Sequence, residues 1–407
     1  MRAFHRRAVR TRLHALIALE CLFGIVYGAF SLTLPILADS LTAKLALLGF
    51  IFSFPEIVGT FIDVPIGEFA KRWGRRRMIF YSGLLLAISS VFFMMVKQPL
   101  AFLAALVFYE IATQSFIIPG DAEETALTPA KSTGRFNALL EGFHNLGFSL
   151  GPVIAGFAIG LELRYALWIT IFVSVLMMLV SLRYVPKEEE HESFWKAAVH
   201  LVTRDKILKR GFSEFSGLGF EGAFVAFIFF AFAVHWGFVG LMEPLYTQAL
   251  GIPDFEIGLI YAGFTLPIFF ISFLVGKYLD RRSAKWITVA GLLLHALSAV
   301  GFSFAFDPKL LFVLALVSGV GDALILPAIF TMFDRLSSYH TKEHVSGIKM
   351  FGESLGYFLG PLLGGAISAA FGFSVSFLAI GIFLLVLALV TGIVPLRVAD
   401  PFRAAQT

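Results

Sequence analysis

The feature that most constrains this chain is a series of apolar stretches, each long enough to cross a lipid bilayer as a helix. A spanning helix needs about 20 consecutive apolar residues, whereas a strand of a membrane barrel would alternate in polarity over about 10 residues. The sequence therefore predicts an all-α membrane protein with twelve spans. They lie at about 13–37, 45–66, 76–96, 99–121, 136–160, 165–184, 222–245, 256–275, 286–306, 310–332, 346–369 and 373–395.

The composition agrees with membrane residence. Hydrophobic residues make up 58% of the 407 residues and charged residues only 15%, although a soluble chain must cover its surface with polar groups. The N-terminal MRAFHRRAVRTR precedes an apolar run of spanning length, and we interpret that run as an uncleaved first helix rather than a secretion signal. Cys21 is the single cysteine, which excludes a disulfide framework and a cysteine metal cluster.

The positive charges are distributed by side of the membrane. With the N-terminus placed inside, few of the 32 Lys and Arg residues fall in outer loops, namely Lys44, Lys97, Arg164 and Lys309. Cytoplasmic loops of membrane proteins are enriched in Lys and Arg. We therefore expect a multi-pass protein of the plasma (inner) membrane with both termini cytoplasmic. We also expect it to be a monomer in contact with the lipid bilayer, without a nucleic-acid partner.

The chain repeats itself at an offset of 209 residues, as between Gly67 and Gly276, which each begin a basic loop. GFSLGPVIAG (147–156) likewise recurs as GYFLGPLLGG (356–365). Six helices return a chain to the same side, so the repeats are parallel and related by an axis along the membrane normal. We predict an N-terminal six-helix bundle (1–184), a cytoplasmic linker (185–210) and a C-terminal six-helix bundle (211–407). The linker fits an amphipathic surface helix or a plain tether equally well.

The repeat and its motifs resemble the major facilitator superfamily over essentially the whole chain. The inner-loop signature of that family is Gly, three residues, Asp, Arg, one residue, Gly and two basic residues. GEFAKRWGRR (67–76) matches it except at Lys71, and GKYLDRRSAK (276–285) matches in part. The GPxxxG pattern on helices five and eleven is similar to the motif of exporters, in particular the branch of drug/proton antiporters.

The resemblance implies an inner gate at these loops. In the family, the loop cations pair with acidic groups and hold the halves together when the transporter faces outward. The implied gate residues of the first half are Gly67, Arg72, Gly74, Arg75 and Arg76, with Asp121, Glu123 or Glu124 as partners; those of the second half are Gly276, Asp280 and Arg281. The alternative is that the cations only set topology. Because Lys71 replaces the usual aspartate, Glu68 or Asp63 would have to supply its charge.

Ionisable groups inside the predicted spans are the candidate substrate and proton sites, because each costs about 2.5–3.5 kcal/mol to insert. The central ones are Glu56, Glu110, His235 and Asp322, and Gln114 lies one turn from Glu110. The resemblance implies that helices one, four, seven and ten line a cavity, across which Glu110 and Asp322 would face each other. For Glu110 and Asp322 the alternative is a structural hydrogen bond, and for His235 it is a packing role. Glu56 and Asp63, which are seven residues apart on one face, would line either the cavity or an inner gate.

Two further groups of residues complete the predicted site. Tyr27 and Trp236 are repeat mates whose rings would bind flat or cationic molecules. Nearer the inner ends, the residues predicted to couple gating to occupancy are Glu141, His144, Asn145 and Glu353.

Together these features predict a secondary active transporter that works by alternating access. Desolvation favours the protonated form of a carboxyl, so we expect proton-coupled export of a small amphipathic or cationic compound. The alternatives are uptake or facilitated diffusion of a nutrient, metabolite or lipid, and a non-transporting membrane sensor or scaffold. The sequence has no phosphate-binding loop, no HExxH and no nucleophile elbow. We therefore expect no ATP-driven pump, no enzyme, no cofactor and no bound metal.

Overall fold

The computed structural model describes residues 2–127, 133–184, 193–196, 219–279, 283–336 and 342–396. Within these ranges the chain forms twelve long helices and no strand. They are α1 (Arg2–Leu41), α2 (Leu45–Trp73), α3 (Arg75–Met95), α4 (Pro99–Leu127), α5 (Thr133–Ile159), α6 (Leu163–Tyr184), α7 (Gly219–Ala249), α8 (Asp254–Leu279), α9 (Ala284–Phe302), α10 (Pro308–Leu336), α11 (Lys342–Phe371) and α12 (Phe373–Ile393).

Each helix contains a segment that is long and apolar enough to cross a membrane, which confirms the prediction of an all-α protein with twelve spans. Helices suit the bilayer because they satisfy their backbone hydrogen bonds internally. Several helices continue past the predicted spans. For example, α2 extends through the charged turn that contains Lys71 and ends at Trp73, directly before Gly74.

The first six helices pack in the same arrangement as the last six. In the first set, α1 packs on α5, and α3 packs on α4 and α6; in the second, α7 packs on α11, and α9 packs on α10 and α12. Between the sets, α2 packs along α11 and α5 packs along α8. This reciprocity agrees with a parallel repeat. The predicted linker boundaries stay a prediction, since residues 185–192 and 197–218 lie outside the described residues.

Glycines bring the helices of the two sets into backbone contact. A Cβ atom on Gly365 of α11 would lie 2.5 Å from the carbonyl oxygen of Leu45 and 2.8 Å from Cα of Gly49 in α2. At the equivalent crossing, a Cβ on Gly258 of α8 would collide with the carbonyl oxygen of Pro152 in α5. In lipid, such close packing is a main source of helix association.

These contacts define two faces of the bundle. Both crossings lie where α2 and α8 begin and where α5 and α11 end, and we call this end the glycine-closed face. The opposite end carries the connection between α2 and α3 at Gly74, and we call it the basic face. Buried apolar side chains form one core through both sets of helices, and a small second cluster of Ile66, Phe69, Ala70 and Met78 lies near the basic face.

Candidate functional site

Carboxyl groups from both sets of helices converge in the middle of the bundle. Glu56 of α2 lies within electrostatic range of Glu110 of α4, Glu353 of α11 and Asp63 of α2. Glu56, Glu110 and Glu353 are partly exposed, whereas Asp63 is buried. We call Glu56, Glu110 and Glu353 the central carboxylates. Because α2 and α11 contribute to them, the site draws on more helices than the four that the resemblance implied.

The local geometry at Glu110 follows the helical spacing. Gln114, one turn later in α4, donates a hydrogen bond from Nε2 to Oε1 of Glu110 at 2.9 Å. The same oxygen would lie 2.7 Å from a Cβ atom on Gly59. The absence of a side chain at position 59 therefore lets the Glu110 carboxyl lie against the backbone of α2.

Aromatic rings surround the central carboxylates. Tyr27 of α1 and Tyr357 of α11 both lie within electrostatic range of Glu56 and Glu353. The Phe148 ring lies between the predicted repeat mates, with its centroid 5.4 Å from that of Tyr27 and 6.4 Å from that of Trp236. Carboxylates beside aromatic faces form an environment that attracts organic cations. The sequence analysis did not single out Phe148 or Tyr357, whose apolar and aromatic surroundings gave no distinguishing signal.

The prediction that Asp322 faces Glu110 is wrong. Asp322 is 1% exposed, its Oδ1 accepts a hydrogen bond from Nε1 of Trp236 at 2.9 Å, and the same atom lies 3.0 Å from Nε2 of His295. Buried polar groups orient toward available partners, and here the partners are on α7 and α9 rather than across the bundle. From the C-terminal set it is Glu353, not Asp322, that approaches Glu56.

Asp322 belongs to a buried polar cluster of the C-terminal set. Nδ1 of His295 lies 2.8 Å from Oγ of Ser318, and that oxygen lies 3.5 Å from Nε2 of His235. The two histidine rings are 4.5 Å apart between centroids, and both are almost fully buried. We call His235, His295, Ser318, Asp322 and Trp236 the histidine cluster. The predicted substrate or proton role of its members stays a prediction.

The sequence analysis missed His295 and Ser318. His295 stands in the middle of a predicted span, so the rule that selected His235 applied to it equally. Ser318 carried no such signal, because serines occur throughout the spans and usually bond to their own helix. Ser89 and Ser181, for example, donate to the carbonyl oxygens of Leu85 and Met177.

Further ionisable residues connect the central carboxylates to the basic face. Glu353 lies within electrostatic range of Glu141 and Lys349, and Asp121 lies within range of Glu20 and Glu141. The residues predicted to couple gating to occupancy join this network. His144 contacts Glu20 with 3.2 Å between Nδ1 and Oε2, and Asn145 donates from Nδ2 to Oε1 of Glu141 at 3.0 Å. Carboxyl groups prevail in this network, which we call the acidic path.

The loop between α2 and α3 contacts α4 within the same set of helices. Nη2 of Arg76 lies 3.1 Å from Oε1 of Glu123, and Nη1 of Arg75 donates to the carbonyl oxygen of Ala122 at 3.1 Å. The Arg76 contact agrees with the predicted partners. A lock between the two halves stays a prediction, because these described contacts do not cross from one set to the other.

The remaining gate residues have simpler surroundings. Gly74 has a φ of 114°, a backbone conformation that favours glycine. A Cβ on Gly67 would meet Ile118 at an ordinary 3.5 Å, so no close approach requires that glycine. Lys71 pairs with Glu68 at 3.0 Å. Arg72 lies in the last turn of α2 and Gly276 in α8, while Asp280 and Arg281 lie outside the described residues.

The chain is similar to known membrane transporters in sequence and in fold. The model of the Major Facilitator Superfamily matches residues 16–239 and 224–406. The quinolone resistance protein NorA of Staphylococcus aureus is 27% identical over 129 residues, which cover 32% of this chain and 33% of NorA. The match therefore spans about a third of the length of that curated relative.

Two solved structures share the architecture over nearly the whole chain. A bacterial homologue of the human lysosomal transporter Spinster, in an inward-facing and unoccupied conformation, has a TM-score of 0.73 at 16% identity, covering 94% of this chain and 96% of that one. The nucleoside transporter NupG has a TM-score of 0.72 at 15% identity, covering 94% and 98%. At such identities the likeness concerns the fold alone.

Proposed function

The chain belongs to the major facilitator superfamily, and from this premise we propose that it exports a small amphipathic or cationic compound in exchange for protons. It is a multi-pass membrane protein of a transporter family, whose members here are transporters and not enzymes. The observation that carries the proposal is the convergence of Glu56, Glu110 and Glu353 beside Tyr27. Three carboxyl groups from two halves, next to an aromatic face, suit a cation better than an anion.

The proposed orientation of the protein supports loading of the site from the cytoplasm. Lys and Arg are enriched in cytoplasmic loops, so the basic face is cytoplasmic and the glycine-closed face is outside, in the plasma (inner) membrane. The central carboxylates are partly exposed although the glycine crossings close the outer end. Water and solutes therefore reach them from the cytoplasm, along the acidic path that includes Asp121 and Glu141. The Spinster homologue with the same fold is also inward-facing.

The exchange follows from competition for the same groups. A cation from the cytoplasm is attracted by the acidic path, stacks on Tyr27 and pairs with the ionised Glu110. When the two halves rock and the site opens outward, protons from outside neutralise the carboxyls and displace the cation. Because a carboxyl bound to a proton no longer attracts the cation, each turnover couples the two movements in opposite directions.

The similarity to NorA, named for quinolone resistance, supports export of an aromatic compound over uptake. The likeness to the nucleoside transporter NupG rests on the fold alone and does not favour uptake of a nutrient. The outer-loop residue Glu162 offers a matched control for the site, because its side chain is 51% exposed and far in sequence from every central carboxylate.

The test uses the purified full chain in proteoliposomes with an acidic interior and ethidium, a planar aromatic cation, outside. Protons that leave the vesicles should drive ethidium inward, and an ionophore that dissipates the pH gradient should abolish its accumulation. Glu110→Gln should lose this accumulation, and Glu162→Gln should keep it. Accumulation that persists in Glu110→Gln, or that ignores the pH gradient in the unmodified protein, contradicts the proposal.

A further inference from the structure

A fully buried carboxyl near the glycine-closed face has no part in the exchange described above. Glu243 lies in the last two turns of α7, directly before Pro244. Its side chain is 0% exposed, and neither Oε1 nor Oε2 has a hydrogen-bond partner among the described residues. Buried polar groups are almost always paired, so an orphaned carboxyl calls for a physical explanation.

The neighbours of Glu243 do not supply a counter-charge. Helices α1, α8, α10, α11 and α12 pack against α7. From these elements, the phenol of Tyr261 on α8 lies within electrostatic range of Glu243. The Tyr261 hydroxyl would lie 3.7 Å from a Cβ on Gly240, one turn before Glu243.

Tyr261 is already engaged with the other half of the molecule. Its hydroxyl lies close to Ser31 of α1. Ser31 itself donates from Oγ to the carbonyl oxygen of Tyr27 at 2.8 Å. The phenol of Tyr261 thus lies where α8 meets α1, and the Glu243 carboxyl accepts no hydrogen bond from it or from any other described residue.

The internal repeat shows that the fold does not need an acid at this position. The residue at the equivalent place in α1, at the offset of 209 residues, is Leu34, which is also buried. An apolar side chain thus fills the site in one half and a carboxyl fills it in the other. A leucine at this position would therefore be sufficient for packing in both halves.

An ionised carboxylate without a partner is strongly disfavoured away from water, whereas the neutral acid is tolerated far better. We propose that Glu243 is a binding site for a proton from the external solution, and that this proton must be bound before the outer face can close. When α7 and α8 separate from α1 and α5, water reaches the carboxyl and the proton returns to the same side. Because the proton binds from and returns to the same side, it is not transported across the membrane. The site therefore controls closure of the outer face and does not change the number of protons exchanged at Glu110.

The inference rests on the proposed orientation, in which the glycine-closed face is outside. Because closing is linked to the binding of one proton, the ratio of closed to open molecules depends on pH. The ratio of closed to open molecules should fall by up to about tenfold for each pH unit once the exposed carboxyl is ionised.

The test measures the distance across the outer face in the absence of any transported compound. Spin labels at Lys44→Cys and Ala370→Cys, in a Cys21→Ala background, report on the crossing of α2 and α11, and both positions are exposed. With the full chain in lipid nanodiscs, raising the pH from about 6 to about 9 should increase the fraction of molecules in which the two spin labels are far apart. Glu243→Gln, which is neutral at every pH, should stay closed throughout.

Two further variants keep the test decisive. Glu243→Leu reproduces the residue of the other half and should also be closed at all pH values, even if a buried glutamine impairs folding. Asp39→Asn removes a partly exposed acid from α1 near the same face and should leave the pH response intact. A distance distribution that ignores pH in the unmodified protein, or that responds equally in Glu243→Leu, overturns the proposal. Since no cation is present, this result is independent of whether ethidium exchange succeeds.

Discussion

The two halves of the molecule share a backbone plan, but the mid-span acids Glu110 and Asp322 lie in opposite environments. In the N-terminal set, Glu56 and Glu110 are partly exposed toward the middle of the bundle. In the C-terminal set, Asp322 is sealed among Trp236, His295 and their neighbours. The repeat thus preserves the helix crossings, which depend on glycine backbones, while the side chains between them differ. Glu110 remains partly exposed, whereas the polar groups around Asp322 join three helices, α7, α9 and α10.

The largest expected effect is on stability, where substitution of Asp322 and of Glu110 should differ. In Asp322→Ala, the indole N–H of Trp236 loses its acceptor and His295 loses its carboxylate neighbour. Each polar group left unpaired costs about 1–3 kcal/mol, so the midpoint of thermal unfolding in detergent should fall by several degrees. Glu110→Ala should shift it far less, because solvent reaches Glu110. Equal midpoints for the two variants would mean that the histidine cluster is not a structural element.

The second effect concerns cation affinity. Glu110→Gln removes a charged partner worth about 1.5–3 kcal/mol, so the affinity for tetraphenylphosphonium, measured by equilibrium binding, should fall about 10- to 100-fold. Glu56→Gln should act in the same direction, and the two losses should not add, because Glu56 and Glu110 interact. Strict additivity would indicate that the two carboxyls bind independently.

The third effect separates the repeat mates Tyr27 and Trp236. Trp236→Phe keeps an aromatic ring but loses the hydrogen bond to Asp322, which should lower the free energy of unfolding by about 1 kcal/mol. Tyr27→Leu removes a face beside the central carboxylates and should weaken tetraphenylphosphonium binding by about 0.5–2 kcal/mol, with little change in stability. If both substitutions affected the same quantity, the proposed division between the halves would not hold.

The smallest effect compares two ion pairs at the basic face. Lys71 and Glu68 are exposed, so Lys71→Ala should change the free energy of unfolding by no more than about 1 kcal/mol. Arg76 and Glu123 are more buried, with 14% and 8% of their side chains exposed. Arg76→Ala should therefore cost more, as measured by thermal unfolding at low salt. A larger loss from Lys71→Ala would contradict the burial argument.

Several local contacts were predictable from the sequence because they depend on spacing along one helix or on a loop motif. Gln114 bonds to Glu110 since residues four apart share a face of a helix. Arg76 reaches Glu123 because the loop signature places its cations beside the end of α4. The partner of Asp322 was not predictable in this way, since it depends on the rotation of α10 against α7 and α9.

The sequence by itself determined the class of fold, the twelve spans and the internal repeat, because the length of apolar runs and a constant offset are properties of the chain. The tertiary structure alone decided that Glu353 and not Asp322 joins the central carboxylates, that His295 completes a buried cluster, and that the Glu243 carboxyl has no hydrogen-bond partner among the described residues. The physical reason is that the hydrogen-bond partners and the exposure of a polar group inside a helical bundle depend on the side chains that neighbouring helices place around it. Those neighbours come together only when all the helices have packed.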